Sequence, residues 1–272
     1  AAFAAYRDKL RTFAAALAPF WSKTMPRVGA TGLRDLATFG ELGLKLRLLG
    51  RDDMLEFFRV ATLPMRDLLD EHFANDALKA ALSWDGLVGS KLAPRSPNQA
   101  VLTLLARMAG IRDGQHCIPT RGMASFVDAL TRAVDRAGAE LRLNAPVAHV
   151  RIEGDETGQR CTGVVLDDGS ELTAKRVVSS VDPKNTFFRL VGAPSLEIEF
   201  SNRIRRLRAD GYVAKLHLAL SGLPAFTGLD DPTGRLVIAE SMDAIEFAYD
   251  DAKYGGCSEQ PVMEVLLPTL QQ

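Results

Sequence analysis

The sequence contains no two glycines separated by a single residue, although 22 of its 272 residues are glycine. A dinucleotide-binding fingerprint and a kinase glycine loop both need a GxG core, because the backbone must approach phosphates closely. The Walker A, HExxH and GxSxG patterns are missing as well. The sequence therefore carries neither a phosphate cradle nor one of the common hydrolase or metalloprotease signatures.

The sequence also has few cysteines and almost no net charge. The three cysteines lie far apart without a CxxC pair, which argues against a disulfide scaffold or a zinc site and favours free thiols in a reducing compartment. We therefore expect a cytoplasmic protein, or one of the mitochondrial matrix if the source is eukaryotic. With 33 basic and 34 acidic residues the net charge is −1, so no global field attracts phosphate backbones and we expect no nucleic-acid partner.

Long apolar runs are absent too. No stretch reaches the roughly 18 apolar residues of a membrane span, and the charges at Arg7, Asp8, Lys9 and Arg11 make the first segment unlike a signal peptide. The sequence starts inside a helical pattern and stops without a tail. We expect a piece of a longer protein.

Apolar residues recur at steps of three and four through roughly the first 110 residues, which is the period of amphipathic helices. The pattern first runs from Phe3 to Leu17, and Pro19 ends it. Further helices are expected after the break at 26–32, after Pro64, and after Asp76, which we expect to cap its helix.

The pattern then changes to one helix followed by short strands. Apolar positions from Phe126 to Ala137 form one helical face, which Gly138 ends. Alternating residues predict a small β-meander with a hairpin turn at Asp167-Asp168-Gly169. Short strands are expected at 141–143, 147–152, 161–166, 172 and 177–178, with further strands at 211–220, 236–239 and 262–267. The last third of the chain is therefore expected to mix α and β structure.

Two charged groups admit more than one interpretation. The pair Asp52-Asp53 has no recognisable acid–base partner, so a turn or a helix N-terminus is the simpler explanation. A basic cluster is either a solvated helix face, which is the commoner outcome, or a site that captures an anion. It comprises Arg203, Arg205, Arg206 and Arg208.

A series of short motifs follows in a fixed order along the middle of the chain. The motifs are Pro119–Met123, Ala137–Ala139, Asn144–Val147, Gly163–Gly169 and Val177–Pro183, flanked by further matching stretches at 68–73, 78–82 and 261–268. In this order they resemble FAD-dependent oxidoreductases of the phytoene desaturase and carotenoid isomerase type. Within that family the likeness is nearest to the branch of pyridine nucleotide-disulphide oxidoreductase domain-containing proteins, and it extends over nearly the whole chain.

The resemblance implies an α/β (α+β) fold, in which a helical and mixed-sheet substrate domain accompanies the middle segment of a Rossmann-like FAD-binding domain. By this resemblance, residues 1–113 form the helical part of the substrate domain, 114–182 the helix and β-meander of the FAD domain, and 183–272 the mixed α/β part of the substrate domain. The glycine fingerprint of the family would then lie outside this chain. We expect the fragment alone to be inactive and to purify without colour.

The resemblance also assigns residues to the cofactor. Val147 matches the family position whose backbone pairs with the adenine edge, and an ordinary strand valine is the alternative. Ser179, Ser180 and Asp182 match a strand-end segment that passes near the cofactor. Small polar residues at the end of a strand suit a ligand crevice, but they suit a plain turn equally well.

A loop before the middle helix is implied to lie beside the flavin or the substrate. Gly122 and Met123 match the family there, whereas Arg121 stands in place of the first of two adjacent glycines. Its cation could meet an acidic group of a substrate, while its bulk opposes a close backbone approach. No catalytic side chain is assigned, because the flavin itself carries the chemistry of this class.

The function expected from the resemblance is that of an FAD-dependent oxidoreductase. The full-length protein would act on an apolar small molecule by hydride transfer, desaturation or isomerisation. The alternative is a non-catalytic module that binds a hydrophobic ligand or a protein partner, and an upstream strand–GxGxxG–helix unit would distinguish the two. No metal is expected, and the resemblance leaves peripheral contact with a membrane and the oligomeric state open.

Overall fold

The computed structural model describes residues 2–21, 23–24, 26, 29, 32–110, 119, 121–155, 158–209 and 211–270. The chain forms two compact units. Unit 1 comprises Ala1–Ser125 and Gly211–Gln272, and unit 2 comprises Phe126–Asp210. The segment 114–182 lies mainly in unit 2, and its assignment to a cofactor domain stays a prediction.

The described residues contain helices and two small sheets. The helices are α1 (Ala2–Leu17), α2 (Leu33–Leu48), α3 (Arg51–Thr62), α4 (Met65–Asp70), α5 (Asp76–Leu87), α6 (Ala100–Met108), α7 (Gly122–Arg136), α8 (Ile198–Arg205) and α9 (Met242–Lys253), with a π-helix at Asn185–Gly192. The strands are β1 (Val147–Asp155), β2 (Gly158–Leu166), β3 (Glu171–Thr173), β4 (Leu236–Ile238) and β5 (Met263–Val265). Among the helices of the described ranges, none combines the length and hydropathy that a membrane span needs.

The core of unit 1 is built from the apolar stripes of its helices. Tyr6, Leu10 and Phe13 recur along α1 at the helical period and are buried. The ring of Phe13 meets the ring of Phe57 from α3 edge to face, with 5.6 Å between centroids. The rest of this core includes Met65, Leu68, Leu69, Trp84, Leu87, Val101, Leu104, Leu105, Met242 and Ile245.

Local signals set several helix ends, with one correction to the sequence prediction. Asn75, not Asp76, caps α5, because its side chain accepts a hydrogen bond from the N–H of Leu78 at 2.8 Å while Asp76 is already the first helical residue. Gly138 follows α7 with the predicted left-handed backbone, at φ 67°. The pair Asp52-Asp53 lies in the first turn of α3, where negative charge suits the helix dipole.

Charged side chains fasten the small sheet of unit 1 to a helix. In this sheet β4 pairs antiparallel with β5. Arg235 meets both Asp85 of α5 and Glu264 of β5 at 2.6 Å, and the indole N–H of Trp84 donates to Glu264 at 2.5 Å. The side chains of Arg235 and Glu264 are only 20% and 19% exposed, so water screens their attraction less than at a surface.

Unit 2 contains the predicted β-meander. Strands β1, β2 and β3 pair antiparallel in that order, and the predicted turn Asp167-Asp168-Gly169 joins β2 to β3. Gly163 of β2 lies so close to Leu172 of β3 that a Cβ atom would overlap the carbonyl oxygen of Leu172. Glycine is therefore required there by close backbone approach.

Three predicted strands are absent. Segments 141–143, 177–178 and 211–220 have no strand structure, and Leu216, Leu218 and Leu220 of the last are 81%, 68% and 58% exposed. Alternating apolar residues favour an extended backbone, but a strand also needs a neighbour for its backbone groups. Within the described ranges no strand pairs with these segments. The predicted mixture of helices and small sheets is confirmed.

Candidate functional site

Unit 2 holds a cavity of about 480 Å³ between the meander and the π-helix. Val150 and Ile152 of β1 and Phe187 and Val191 of the π-helix give it a largely apolar wall. The other lining residues are Gln159, Arg160, Cys161, Val177, Ser179, Val181, Pro183, Thr186, Ser195 and Leu196. A cavity of this size, with apolar walls and a few polar groups, is typical of a small-molecule site.

A larger cavity, of about 660 Å³, lies beside α9 in unit 1. Its described lining includes the carboxylates of Glu240, Asp251 and Glu259 and holds none of the residues that the resemblance assigns to the cofactor or to the flavin loop. The cavity of unit 2 contains Ser179 and runs along the segment that ends at Asp182. We therefore treat the cavity of unit 2 as the candidate site.

Ser179 contributes a hydroxyl whose proton is already used. Thr186 donates its one hydroxyl proton to the carbonyl of Val181 at 3.0 Å. The hydroxyl oxygens of Ser179 and Thr186 are 2.8 Å apart, so Ser179 must be the donor in that pair. Its oxygen also accepts from the N–H of Val181 at 3.2 Å. The remaining capacity of Ser179 is that of an acceptor, which suits an N–H or O–H group of a ligand.

Asp182 ends the same segment and caps the helix that follows. Its Oδ1 accepts from the backbone N–H of Lys184 at 3.0 Å and of Asn185 at 3.1 Å, and its Oδ2 accepts from the side-chain amide of Asn185 at 2.5 Å. These hydrogen bonds, first those from Asn185, lower the pKa of the carboxyl. Both oxygens of Asp182 already accept hydrogen bonds, and contact of Asp182 or of the exposed Ser180 with a cofactor stays a prediction.

Val147 begins β1 and is followed at once by a β-bulge. The register shifts between Val147 and His149, which leaves Ala148 as the extra residue. A bulge turns backbone N–H and C=O groups away from the ladder, so this strand end can present them to a ligand. The sequence pattern gave no sign of the bulge. Val147 is not part of the cavity lining, and its pairing with adenine stays a prediction.

The predicted flavin or substrate loop lies in unit 1. Arg121 and Gly122 both have left-handed backbones, with φ 71° and 72°. The N–H of Gly122 donates to the carbonyl of Pro119 at 2.9 Å, and Met123 is 64% exposed. A left-handed backbone is costly for arginine and easy for glycine. The glycine that the resemblance implies at the position of Arg121 would adopt this backbone more easily than arginine does.

Sequence reasoning missed the contribution of the π-helix. Thr186, Phe187 and Val191 line the cavity, and the apolar pair Phe187 and Phe188 was a visible signal for an amphipathic helix. Cys161 also lines the cavity and, like Cys257, is a free thiol, as predicted. Cys117 lies outside the described residues.

The chain belongs to a family of flavin enzymes. Residues 31–232 match the family described as flavin containing amine oxidoreductase. The expected relation to FAD-dependent oxidoreductases of the phytoene desaturase type is thereby confirmed.

Individual relatives agree with this membership. Pyridine nucleotide-disulfide oxidoreductase domain-containing protein 2 of Mus musculus is 28% identical over 249 residues, which cover 87% of this chain and 42% of the relative. A phytoene desaturase (lycopene-forming) of Paracoccus sp. is 27% identical over 193 residues, or 68% of this chain and 37% of the relative. The chain thus spans less than half the length of these relatives. No solved structure matches it.

Proposed function

We propose that the chain is part of an FAD-dependent oxidoreductase that acts on an apolar small molecule by hydride transfer, desaturation or flavin-assisted isomerisation. The observation that carries the proposal is the family match over residues 31–232, which includes the whole of unit 2 and its apolar cavity. The names of relatives that are phytoene desaturases support an apolar substrate.

The described residues fit part of an FAD molecule. The register shift beside Val147 leaves Ala148 as an extra residue in the ladder, and the N–H and C=O groups of a strand end would suit the edge of an adenine ring. The cavity at Ser179 has an apolar wall and a few polar groups, Ser179 among them, and would suit one ring or the ribose of such a molecule.

The phosphate portion needs more than these residues provide. A pyrophosphate is normally held by glycine-spaced backbone N–H groups at a helix N-terminus, and the sequence has no GxG. We propose that polypeptide beyond this chain supplies that contact. The greater length of the relatives supports this proposal, since this chain spans 42% of the mouse protein.

In catalysis, the role of this chain would be to hold the cofactor and enclose the ligand. A bound flavin supplies the chemistry by accepting or donating a hydride. The apolar residues Val150, Phe187 and Val191 line the cavity and would help to exclude water from a bound ligand, and Ser179 offers an acceptor. None of these side chains is assigned a proton transfer.

Cofactor binding can be tested at Val147 because the proposal uses its backbone and not its side chain. In the full gene product, Val147→Pro removes the N–H at the first position of β1, where a strand tolerates proline. We expect FAD, identified by mass spectrometry and absorbance, to bind about tenfold more weakly. Val147→Ile keeps the backbone and should bind FAD like the wild type.

Circular dichroism shows whether both variants keep the fold. Equal loss of FAD from both variants would mean that the side chain, and not the backbone, matters. A full gene product that binds no flavin but takes up an apolar ligand would support the alternative, a non-catalytic binding module.

A further inference from the structure

Unit 1 contains an alternating apolar segment that no described part of the chain covers. Residues 213–220 contain no helix, turn or bend, so the backbone runs over eight residues without a sharp change of direction. Every residue from 211 to 220 is exposed. Among the described residues, none forms a backbone hydrogen bond with 213–220. The N–H and C=O groups of this segment are therefore available to a neighbouring strand.

The two faces of this segment would differ in chemistry if it formed a strand, because side chains alternate between the faces of a strand. The odd-numbered positions include Lys215 and His217. The even-numbered positions are all apolar or aromatic, namely Tyr212, Ala214, Leu216, Leu218 and Leu220. This alternation is typical of a sheet that has one face on a core and the other face in water.

Both ends of the segment are defined. The Nζ of Lys91 lies over the ring of Tyr212, 4.9 Å from its centroid, and the ring of Tyr249 in α9 meets that of Tyr212 with 5.5 Å between centroids. These contacts hold the start of the segment against the rest of unit 1. Pro224 follows the segment, and proline has no N–H to give to a strand ladder. A strand of about 26 Å would therefore fit between these two points.

The family match indicates where a neighbouring strand would come from. Residues 213–220 lie inside the matched range 31–232, so the segment belongs to the family domain and is not an addition to it. The match covers 42% of the mouse relative and 37% of the Paracoccus relative, so more than half of each relative lies outside the shared region. A neighbour from the same polypeptide is favoured over a second molecule, because a long apolar edge exposed in the finished protein would promote aggregation.

We propose that residues 213–220 form a strand that pairs with a β-strand from the part of the full gene product outside this chain. Apolar residues of that part cover Leu216, Leu218 and Leu220. The proposal shares with the proposed function only the premise that the gene product is longer than this chain. It uses neither the flavin nor the cavity of unit 2, so the two proposals can fail separately.

Hydrogen–deuterium exchange of the full gene product, followed by mass spectrometry, tests the pairing. We expect the amides of 213–220 to exchange at least about 100-fold more slowly than in an unstructured peptide. Leu216→Asp places a charge on the apolar face and should raise their exchange rate about 30-fold. His217→Asp is the matched control, because it introduces the same side chain on the other face, one position away. It should change the exchange rate less than about threefold.

A photo-crosslink identifies the neighbour. The photoreactive amino acid p-benzoylphenylalanine in place of Leu220 should link to a peptide of the same molecule that lies outside these 272 residues. Fast exchange of 213–220, equal effects of the two aspartate variants, a crosslink to a second molecule, or a crosslink confined to these 272 residues would each overturn the proposal. The wild-type exchange and the crosslink decide the question even if Leu216→Asp does not fold. FAD absorbance of the same samples reports on the proposed function separately.

Discussion

The buried hydroxyl of Tyr6 gives a sharp test of the packing in unit 1. The residue is 6% exposed, and its ring meets His72 and Phe73 at 5.3 and 5.2 Å between centroids. Among the described residues, none forms a hydrogen bond with its hydroxyl. A polar group buried without a partner destabilises the folded state.

The variant Tyr6→Phe keeps the ring and removes the unpaired hydroxyl. Mutational data place the cost of such a hydroxyl at about 1–3 kcal/mol. We expect the variant to be more stable by about 1 kcal/mol, since relaxation of the site reduces the gain. For a domain of this size the melting temperature should rise by roughly 2–4 °C. Tyr6→Ala, which also removes the ring, should lose about 3–5 kcal/mol.

The same burial makes the stability of the folded protein depend on pH above about 10. Desolvation raises the pKa of its phenol well above the ordinary 10.0. Above pH 10 the unfolded chain therefore releases this proton while the folded chain keeps it. Stability then falls as pH rises, by up to about 1.4 kcal/mol per pH unit from this group. The difference in stability between Tyr6→Phe and the wild type should grow above pH 10.

Urea unfolding followed by tryptophan fluorescence measures these effects in the right unit. Both tryptophans, Trp21 and Trp84, belong to unit 1, as does Tyr6. Tyr254 is 82% exposed, so Tyr254→Phe is the matched control and should change little. A Tyr6→Phe variant that is less stable than the wild type, with no added pH dependence, would falsify the reasoning and show that the hydroxyl has a partner.

Two further predictions concern the sheets. Gly163→Ala places a Cβ against a backbone carbonyl of β3 and should cost about 2 kcal/mol or more in the thermal unfolding of unit 2 by circular dichroism. Gly158→Ala, on the same strand with open space around it, should be nearly neutral, and equal costs would contradict the close-approach argument. Glu264→Gln removes a partly buried partner of Arg235 and Trp84 and should cost about 2 kcal/mol, less than a fully buried pair because both charges keep some water. A shift in the fluorescence of Trp84 should accompany it, and an unchanged urea midpoint would argue against that network.

Features fixed by a few neighbouring residues were predictable from the sequence. The turn Asp167-Asp168-Gly169 and the helix end at Gly138 form as expected, because glycine adopts the left-handed backbone that each needs. The helix before Gly138 follows from its apolar spacing. The incorrect prediction of the α5 cap also has a local cause. Asn75 and Asp76 are equally good capping residue types and differ only in position.

Features that depend on distant residues were not predictable in this way. The alternation at 211–220 favours an extended backbone, and the segment is not a strand because strand structure requires a hydrogen-bonding neighbour. The bulge at Ala148 exists only through the register with β2. The hydroxyl of Ser179 bonds to Thr186 because the π-helix packs beside Ser179 in the folded chain.

The sequence by itself therefore determined the mixture of helices and short strands, the turns, and the family that its ordered motifs resemble. These depend on residue type and on short spacing, which a chain carries before it folds. The tertiary structure decided which residues enclose the cavity of unit 2, which strand carries the bulge, and which apolar positions remain exposed. Those outcomes depend on which distant segments meet, and backbone hydrogen bonds and close packing settle that only in the folded chain.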